Sequence, residues 1–205
     1  MKIITVANLK GGSAKSTTTA FLAHAYAAEG LDVLVIDADP QGSTLRWSEA
    51  AEWTIPTLAL PVKNLHTRLT GIVPSSVDVV LIDTPPLDDH AGIVYSALRV
   101  ASTIIITMAP TMMEFERLAD VWAAVEEVEP LRTTPAQAAV LLNRTVPQAA
   151  STEAFRGLIV DAGHTVLTTT INRREMFAQA FGAPITDLGR YADAAAEIFQ
   201  LEATA

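Results

Sequence analysis

Two hydrophobic patterns alternate along this chain of 205 residues. Short runs of apolar, often β-branched residues are typical of strands buried on both faces of a sheet, and the longer stretches between them carry the spacing of amphipathic helices. The alternation predicts an α/β fold, a doubly wound, mostly parallel sheet of about seven strands with helices on both faces. The predicted strands are Lys2–Ala7, Asp32–Ile36, Ile55–Leu60, Val77–Ile82, Thr103–Met108, Ala138–Leu142 and Thr165–Thr169.

Two helices have the clearest signals. Between Met113 and Glu129 the apolar residues recur at three- and four-residue spacing and form one face. Thr111 followed three residues later by Glu114 predicts a capping box at its start, and Pro130 lies just beyond its end. A last helix is predicted over Tyr191–Leu201.

Composition narrows the class of protein. The length suits one domain spanning residues 1–205, and neither a repeat nor a linker divides it. Mean hydropathy is +0.30, yet no apolar run approaches the roughly 20 residues of a membrane span, and no secretory signal is visible, so we expect a cytoplasmic protein without a membrane partner. The absence of cysteine excludes cysteine-ligated metal and iron–sulfur sites. The net charge of -9 restricts any DNA contact to a local patch.

The strongest chemical signal is the segment KGGSAKST between the first predicted strand and the first helix. Its glycine pair lets backbone N–H groups curl around an anion, and the helix that follows directs its positive end to the same place. Lys15 supplies a cation for terminal phosphates, and the Ser16 hydroxyl can bind Mg²⁺. The segment is therefore predicted to hold a nucleoside triphosphate through Lys10, Gly11, Gly12, Ser13, Ala14, Lys15, Ser16 and Thr17.

Carboxylates follow two of the other predicted strands. The second strand runs into Asp37 and Asp39, and the fourth into Asp83. Ligands of such sheets bind at the carboxyl ends of strands, and carboxylates buried there need a cation or strong donors. The three carboxylates predict a Mg²⁺ ion and an activated water. The alternatives are a turn cap at Asp83 and a simple Asx turn before Pro40.

The phosphate-binding segment departs from the GxxxxGK[ST] pattern. Leu9 and Ala14 stand where glycines are usual, and Lys10 precedes the glycine pair. In these features the chain resembles the ParA/MinD superfamily of deviant Walker ATPases, P-loop NTPases that bind ATP, and the resemblance covers nearly its whole length. We expect Ala14 to lie in the first helical turn with negative φ, where alanine fits without strain; a positive φ would strain the loop and weaken ATP binding.

The resemblance implies a role for each matching residue. Asp83 would hold Mg²⁺ through a bound water, Asp37 would support the metal shell, and Asp39 would orient the attacking water. Lys10 would reach the phosphates bound by the other subunit, so that ATP binding produces a homodimer and Lys10 acts together with Lys15 and Asp39 in catalysis. A solvated surface lysine is the alternative for Lys10.

Two later segments match less specific features of the same family. Asn143 and Arg144 follow a predicted strand where relatives place residues that contact adenine, although a loop-capping Asn is an alternative. Arg173 and Arg174 are the only adjacent basic pair, in a segment like one that binds DNA without sequence preference in small ParA proteins. The alternative is a pair of helix-start arginines that interact with Glu175.

The resemblance favours a partition ATPase of plasmid or chromosomal DNA. Such a protein is nucleoid-associated, dimerises on ATP, binds DNA non-specifically and hydrolyses ATP slowly with a small centromere-binding protein as partner. One alternative is a metabolic ATP-dependent ligase, such as dethiobiotin or cobyrinate amide synthetase, although those typically lack a residue like Lys10. Another is a MinD-like membrane switch. Such a protein would need a basic amphipathic helix at its C-terminus, whereas the segment from Glu197 to Ala205 is acidic and short.

Overall fold

The computed structural model describes residues 1–201, and within them it contains one parallel sheet of six strands. The strands are β1 (Lys2–Ala7), β2 (Val33–Asp37), β3 (Thr57–Ala59), β4 (Val79–Asp83), β5 (Thr103–Met108) and β6 (Gln137–Leu142). Their order is β3-β2-β4-β1-β5-β6, and every neighbouring pair is parallel. The predicted doubly wound α/β class is confirmed.

Helices cover both faces of this sheet. They are α1 (Lys15–Ala28), α2 (Ser43–Ala50), α3 (Leu65–Ile72), α4 (Leu87–Val100), α5 (Met112–Val128), α6 (Ala150–Asp161), α7 (Glu175–Ala178) and α8 (Tyr191–Leu201), with a 3₁₀ turn over Glu129–Leu131. On one face α1, α2 and α8 bury a core around Phe21, Trp47 and Tyr191. On the other face, α3 to α6 pack against the alternate apolar residues of the strands, whose side chains point to that face. None of these helices is long and apolar enough to cross a membrane.

The prediction of a seventh strand is wrong. Thr165–Thr169 does not form a strand and touches the sheet through an isolated bridge between Val140 and Val166. Side chains take up its backbone groups instead: the Glu197 carboxylate accepts the N–H groups of Thr168 and Thr169 at 2.6 and 2.8 Å, and Arg156 donates to the carbonyls of Leu167 and Thr168. With these groups bound elsewhere, a regular ladder cannot continue.

The capping prediction for α5 is half confirmed. The Thr111 side chain accepts the Glu114 N–H at 3.4 Å, as predicted. The Glu114 carboxylate, however, accepts from the N–H of Ala109 at 2.8 Å and pairs with Arg144, so it does not complete a reciprocal box. α8 has the predicted bounds.

Candidate functional site

The carboxyl ends of β1, β2 and β4 bring the phosphate loop and the predicted carboxylates together. The strand register places Asp37 beside Asp83 in adjacent strands. Above them lies an open cavity of about 410 Å³. Its lining comprises Gly11, Gly12, Ala14, Lys15, Ser16, Thr17, Asp39, Gln41, Ser43, Pro86, Asp89 and His90. The loop, Asp39 and the start of α4 therefore face one space.

Lys15 is buried within this site, with only 6% of its surface exposed. Its Nζ donates to the carbonyl of Lys10 at 3.0 Å, and the Ser13 hydroxyl donates to the same oxygen at 3.3 Å. Burial lowers the pKa of Lys15, while the carboxylates of Asp83 and Asp39 oppose that shift. Among the described residues, the one hydrogen bond of this buried ammonium goes to a carbonyl of its own loop. The ammonium can therefore turn toward a phosphate, which would bind it far more strongly.

Asp83 is fully buried and incompletely bonded. Oδ2 accepts the Thr44 hydroxyl at 2.6 Å, whereas Oδ1 has no hydrogen-bond partner among the described residues. Burial, followed by the neighbouring Asp37, raises the pKa of Asp83 to about 7, and the hydroxyls of Thr44 and Ser16 and the Lys15 ammonium oppose the shift. An unpartnered carboxylate oxygen beside a serine hydroxyl is a donor set that fits Mg²⁺.

The metal would be held by few protein groups. Within residues 1–201 no cluster of three or more His, Asp or Glu side chains could hold an ion by itself. Mg²⁺ usually keeps several waters and binds through one or two protein groups together with substrate phosphates. Ser16 and Asp83 are sufficient for such a site, and Mg²⁺ bound there would neutralise charge on the phosphates.

Asp37 is engaged by its own loop. Its Oδ1 accepts the N–H of Asp39 at 3.1 Å, and its Oδ2 accepts the N–H of Leu45 at 2.8 Å. Burial raises the pKa of Asp37, and these backbone donors oppose the shift. The observed contacts make Asp37 an anchor for the loop between β2 and α2. Its predicted place in the metal shell stays a prediction.

Asp39 is half-buried, and it lines the cavity. Its Oδ1 accepts the N–H of Gln41 at 2.9 Å, which is the Asx turn weighed in the sequence analysis. This turn and a catalytic role are compatible, because one carboxylate has about four acceptor sites. The orientation of water by Asp39 stays a prediction.

Lys10 projects from the loop and is half exposed. Its ammonium pairs with Asp88 in the first turn of α4, a carboxylate that is itself partly exposed. Exposed ion pairs contribute about 0–1 kcal/mol, so Lys10 can leave Asp88 at low cost. Its predicted action on the phosphates of another subunit stays a prediction.

The expectation for Ala14 is wrong. Ala14 has φ 68° and ψ 26°, so it is left-handed and precedes α1 rather than lying in its first turn. The carbonyl of Ala14 then starts the helix by accepting the N–H of Thr18 at 2.9 Å. A left-handed residue with a Cβ costs roughly 1–2 kcal/mol, so the loop stores strain where glycine is usual.

A second cavity of about 310 Å³ lies on the other side of the phosphate loop, at the end of β6. Asn143 lines it and is 1% exposed; its Nδ2 donates to the carbonyl of Ser13 at 3.1 Å, and its Oδ1 has no partner among the described residues. Arg144 donates to the carbonyl of Gly12 at 3.0 Å and pairs with Glu114 at 2.5 Å. Both predicted adenine residues therefore hold the phosphate loop, which agrees with the alternative of a loop-capping Asn for Asn143, whereas the sequence did not indicate this role for Arg144.

Arg173 and Arg174 are exposed and line this same cavity. The predicted DNA-contacting pair consequently lies beside Asn143 and Arg144, close to the phosphate loop. Arg174 is the N-cap residue of α7, as the alternative interpretation expects, but between residues 1 and 201 no ion pair joins either arginine to Glu175. Thr44, Asp89 and His90 also belong to the site, and no sequence motif marks them.

A parallel sheet whose first strand ends in a glycine-rich anion loop, with carboxylates at the next strand ends, defines a P-loop nucleotide-binding protein. Residues 4–185 match the family model described as the CobQ/CobB/MinD/ParA nucleotide binding domain. The chain belongs to this family, and the resemblance drawn from the sequence is confirmed.

Individual relatives span several functions. The Maintenance of carboxysome distribution protein A of Halothiobacillus neapolitanus is 33% identical to this chain. The alignment covers 97% of this chain and 93% of that protein. The Protein ParA of Rhizobium radiobacter is 30% identical over 56% of this chain and 51% of its own length. Cobyrinic acid a,c-diamide synthase from Mycobacterium smegmatis, solved with bound ADP and magnesium, has a TM-score of 0.78 at 20% identity and covers 100% of this chain and 96% of that one. At that identity the last comparison shows the fold.

Proposed function

We propose that this protein is a ParA-type ATPase that binds ATP with Mg²⁺ and converts ATP binding into dimerisation. The observation that carries the proposal is the site itself. The loop with its additional Lys10 adjoins two buried groups, Asp83 and Lys15. Over residues 1–201, Oδ1 of Asp83 has no hydrogen-bond partner and Lys15 donates only to its own loop. A triphosphate with Mg²⁺ would satisfy each of these groups at once.

The second cavity supports adenine as the base. The Oδ1 of Asn143 is a buried acceptor that has no partner in the described part of the chain, and it lies next to the phosphate loop. The amino group of adenine can donate a hydrogen bond to such an oxygen. Guanine carries a carbonyl at the corresponding position and would leave two acceptors facing each other. ATP is therefore the favoured nucleotide over GTP.

The dimer form follows from Lys10 and from the charge of the chain. An exposed lysine that exchanges Asp88 for a phosphate of a second subunit would make that subunit part of the site. Dimerisation also brings two copies of Arg173 and Arg174 together, which a protein with net charge -9 needs before it can hold DNA. The proposed place of action is the nucleoid in the cytoplasm, with DNA bound without sequence preference.

The proposed hydrolysis is slow and stimulated by a partner protein. Asp39 would orient the attacking water, and Asp83 with Ser16 would hold Mg²⁺. Phosphoryl transfer asks little covalent chemistry of a protein, so positioning and charge neutralisation suffice.

Two cargoes fit this switch. Plasmid or chromosomal DNA, attached through a small centromere-binding protein, is the cargo that the sequence motifs favour. A protein body is the second candidate, because a relative named for maintenance of carboxysome distribution aligns with nearly the whole chain. Both cargoes use the same ATP-driven binding to the nucleoid and differ in the partner protein.

The test compares the purified protein with ATP and Mg²⁺, with ADP and without nucleotide. Sedimentation should detect a dimer with ATP and Mg²⁺ but not in the other two conditions. DNA should be retained only in the condition in which the dimer forms. ADP production should be low without a partner. A metabolic ligase would instead form ADP only with a carboxylate substrate and would not retain DNA, which would refute the proposal.

A further inference from the structure

One buried hydroxyl connects the loop that carries Asp39 with the end of β4. Thr44, the second residue of α2, donates from Oγ1 to Oδ2 of Asp83 at 2.6 Å, and both residues are 0% exposed. The two residues are 39 positions apart in the chain. This contact is thus a tertiary link between two parts of the site.

The rest of the loop is tied to Asp37 by backbone groups alone. Asp37 accepts the N–H of Asp39 on one side of the loop and the N–H of Leu45 on the other. Gly42, with φ 63°, makes the turn between them and precedes α2. Both ends of the loop are therefore held by Asp37 next to Thr44, and the Thr44 hydroxyl links this loop to the carboxylate of Asp83.

We propose that Thr44 is a positioning residue for the metal site: it occupies Oδ2 of Asp83, reserves Oδ1 for the Mg²⁺ shell, and makes Mg²⁺ affinity depend on the conformation of the Asp39 loop. The inference rests on the proposed nucleotide function. Partners that orient the groups of a metal site are often worth 10- to 100-fold in metal affinity. Without the hydroxyl, Oδ2 of the buried carboxylate loses the donor that α2 supplies.

The experiment uses Thr44→Val, which keeps the shape of the side chain and removes the donor. A fluorescent ATP analogue is bound to each variant in EDTA and then titrated with Mg²⁺. Thr44→Val should raise the Mg²⁺ concentration at half-effect by roughly 10- to 100-fold, while affinity in EDTA stays within about twofold. Thr44→Ser should restore the parental titration, because serine supplies the same hydroxyl.

Thr5→Val is the matched control. Thr5 is also 0% exposed, and its hydroxyl donates to the carbonyl of Ala97 at 3.1 Å, on a different contact. This substitution removes an equally buried hydroxyl and should leave the Mg²⁺ titration unchanged. Thr44→Ala replaces valine in the comparison if Thr44→Val does not fold.

Two results would overturn the inference. One is a parental Mg²⁺ titration in Thr44→Val or Thr44→Ala. The other is an equal loss of affinity with and without Mg²⁺, since that would make Thr44 a residue of general structural importance. A parental protein whose nucleotide binding is absent or independent of Mg²⁺ would refute the proposed function, and the inference would fall with it.

Discussion

Replacing Ala14 by glycine should stabilise the protein, because Ala14 is held at φ 68°. Relief of the left-handed strain should stabilise the folded state by roughly 1–2 kcal/mol. The extra freedom of glycine in the unfolded chain opposes this gain by about 0.4–1 kcal/mol. The net gain should be about 1 kcal/mol in the free energy of unfolding. For a chain of this size that raises Tm by about 2–4 °C.

Ala149 is a matched control in the same chain. It is also half-buried and also the N-cap of a helix, α6, but its φ is -72°. Ala149→Gly therefore shares the N-cap preference and the unfolded-state cost without relieving left-handed strain. The difference between the two substitutions isolates the φ contribution, about 1–2 kcal/mol or roughly 2–8 °C in Tm.

Thermal unfolding followed by circular dichroism, without nucleotide, provides the measurement. A Tm of Ala14→Gly at or below that of Ala149→Gly would refute the strain argument. ATP affinity gives a second readout, since glycine adopts the left-handed conformation at residue 14 without the strain that alanine carries there. Ala14→Gly should bind ATP at least as tightly as the parent.

The other predictions concern the switch, the chemistry and the DNA contact. Lys15→Ala should abolish ATP binding in equilibrium titrations, whereas Lys10→Ala should bind ATP as a monomer and fail to dimerise in sedimentation; equal loss of affinity in both would place Lys10 in its own subunit's site. Asp39→Ala should accumulate as an ATP-bound dimer, and a parental rate of phosphate release would disprove its role. With Arg173→Ala/Arg174→Ala, ATP-driven dimers should form but no longer be retained on DNA. The parental dimer should bind DNA about 10²-fold or more tightly than the parental monomer does, and it should release DNA as the salt concentration rises. DNA binding by the nucleotide-free monomer would contradict the last prediction.

Periodicity predicted the architecture because burial on both faces leaves long apolar runs in the central strands. The start of α8 was predictable, since its apolar spacing is regular from Tyr191. Thr165–Thr169 has the same strand-like composition but lies at the sheet's edge, where Glu197 and Arg156 compete for its backbone groups. Such competition depends on side chains brought in from other elements, which a local pattern does not contain.

The site was predictable where chemistry and topology coincide. Strand-end carboxylates converge in any parallel sheet, so the proximity of Asp37 and Asp83 followed from the sequence. The hydroxyl of Thr44 on Asp83 did not follow, because it joins elements whose relative rotation is set by packing. The φ of Ala14 was missed for a different reason: an alanine is a poor indicator of left-handed backbone.

The carbonyl groups of the phosphate loop have a consequence for binding kinetics. The carbonyls of Lys10, Gly12 and Ser13 each accept a side-chain donor, from the loop itself or from Asn143 and Arg144. With these oxygens engaged before any ligand arrives, the loop is already ordered, and an incoming nucleotide avoids much of the roughly 1–2 kcal/mol of entropy per residue that ordering a mobile loop would cost. Binding of nucleotide should consequently need little reordering of the loop, and the slow events of the cycle should be those that involve a second molecule.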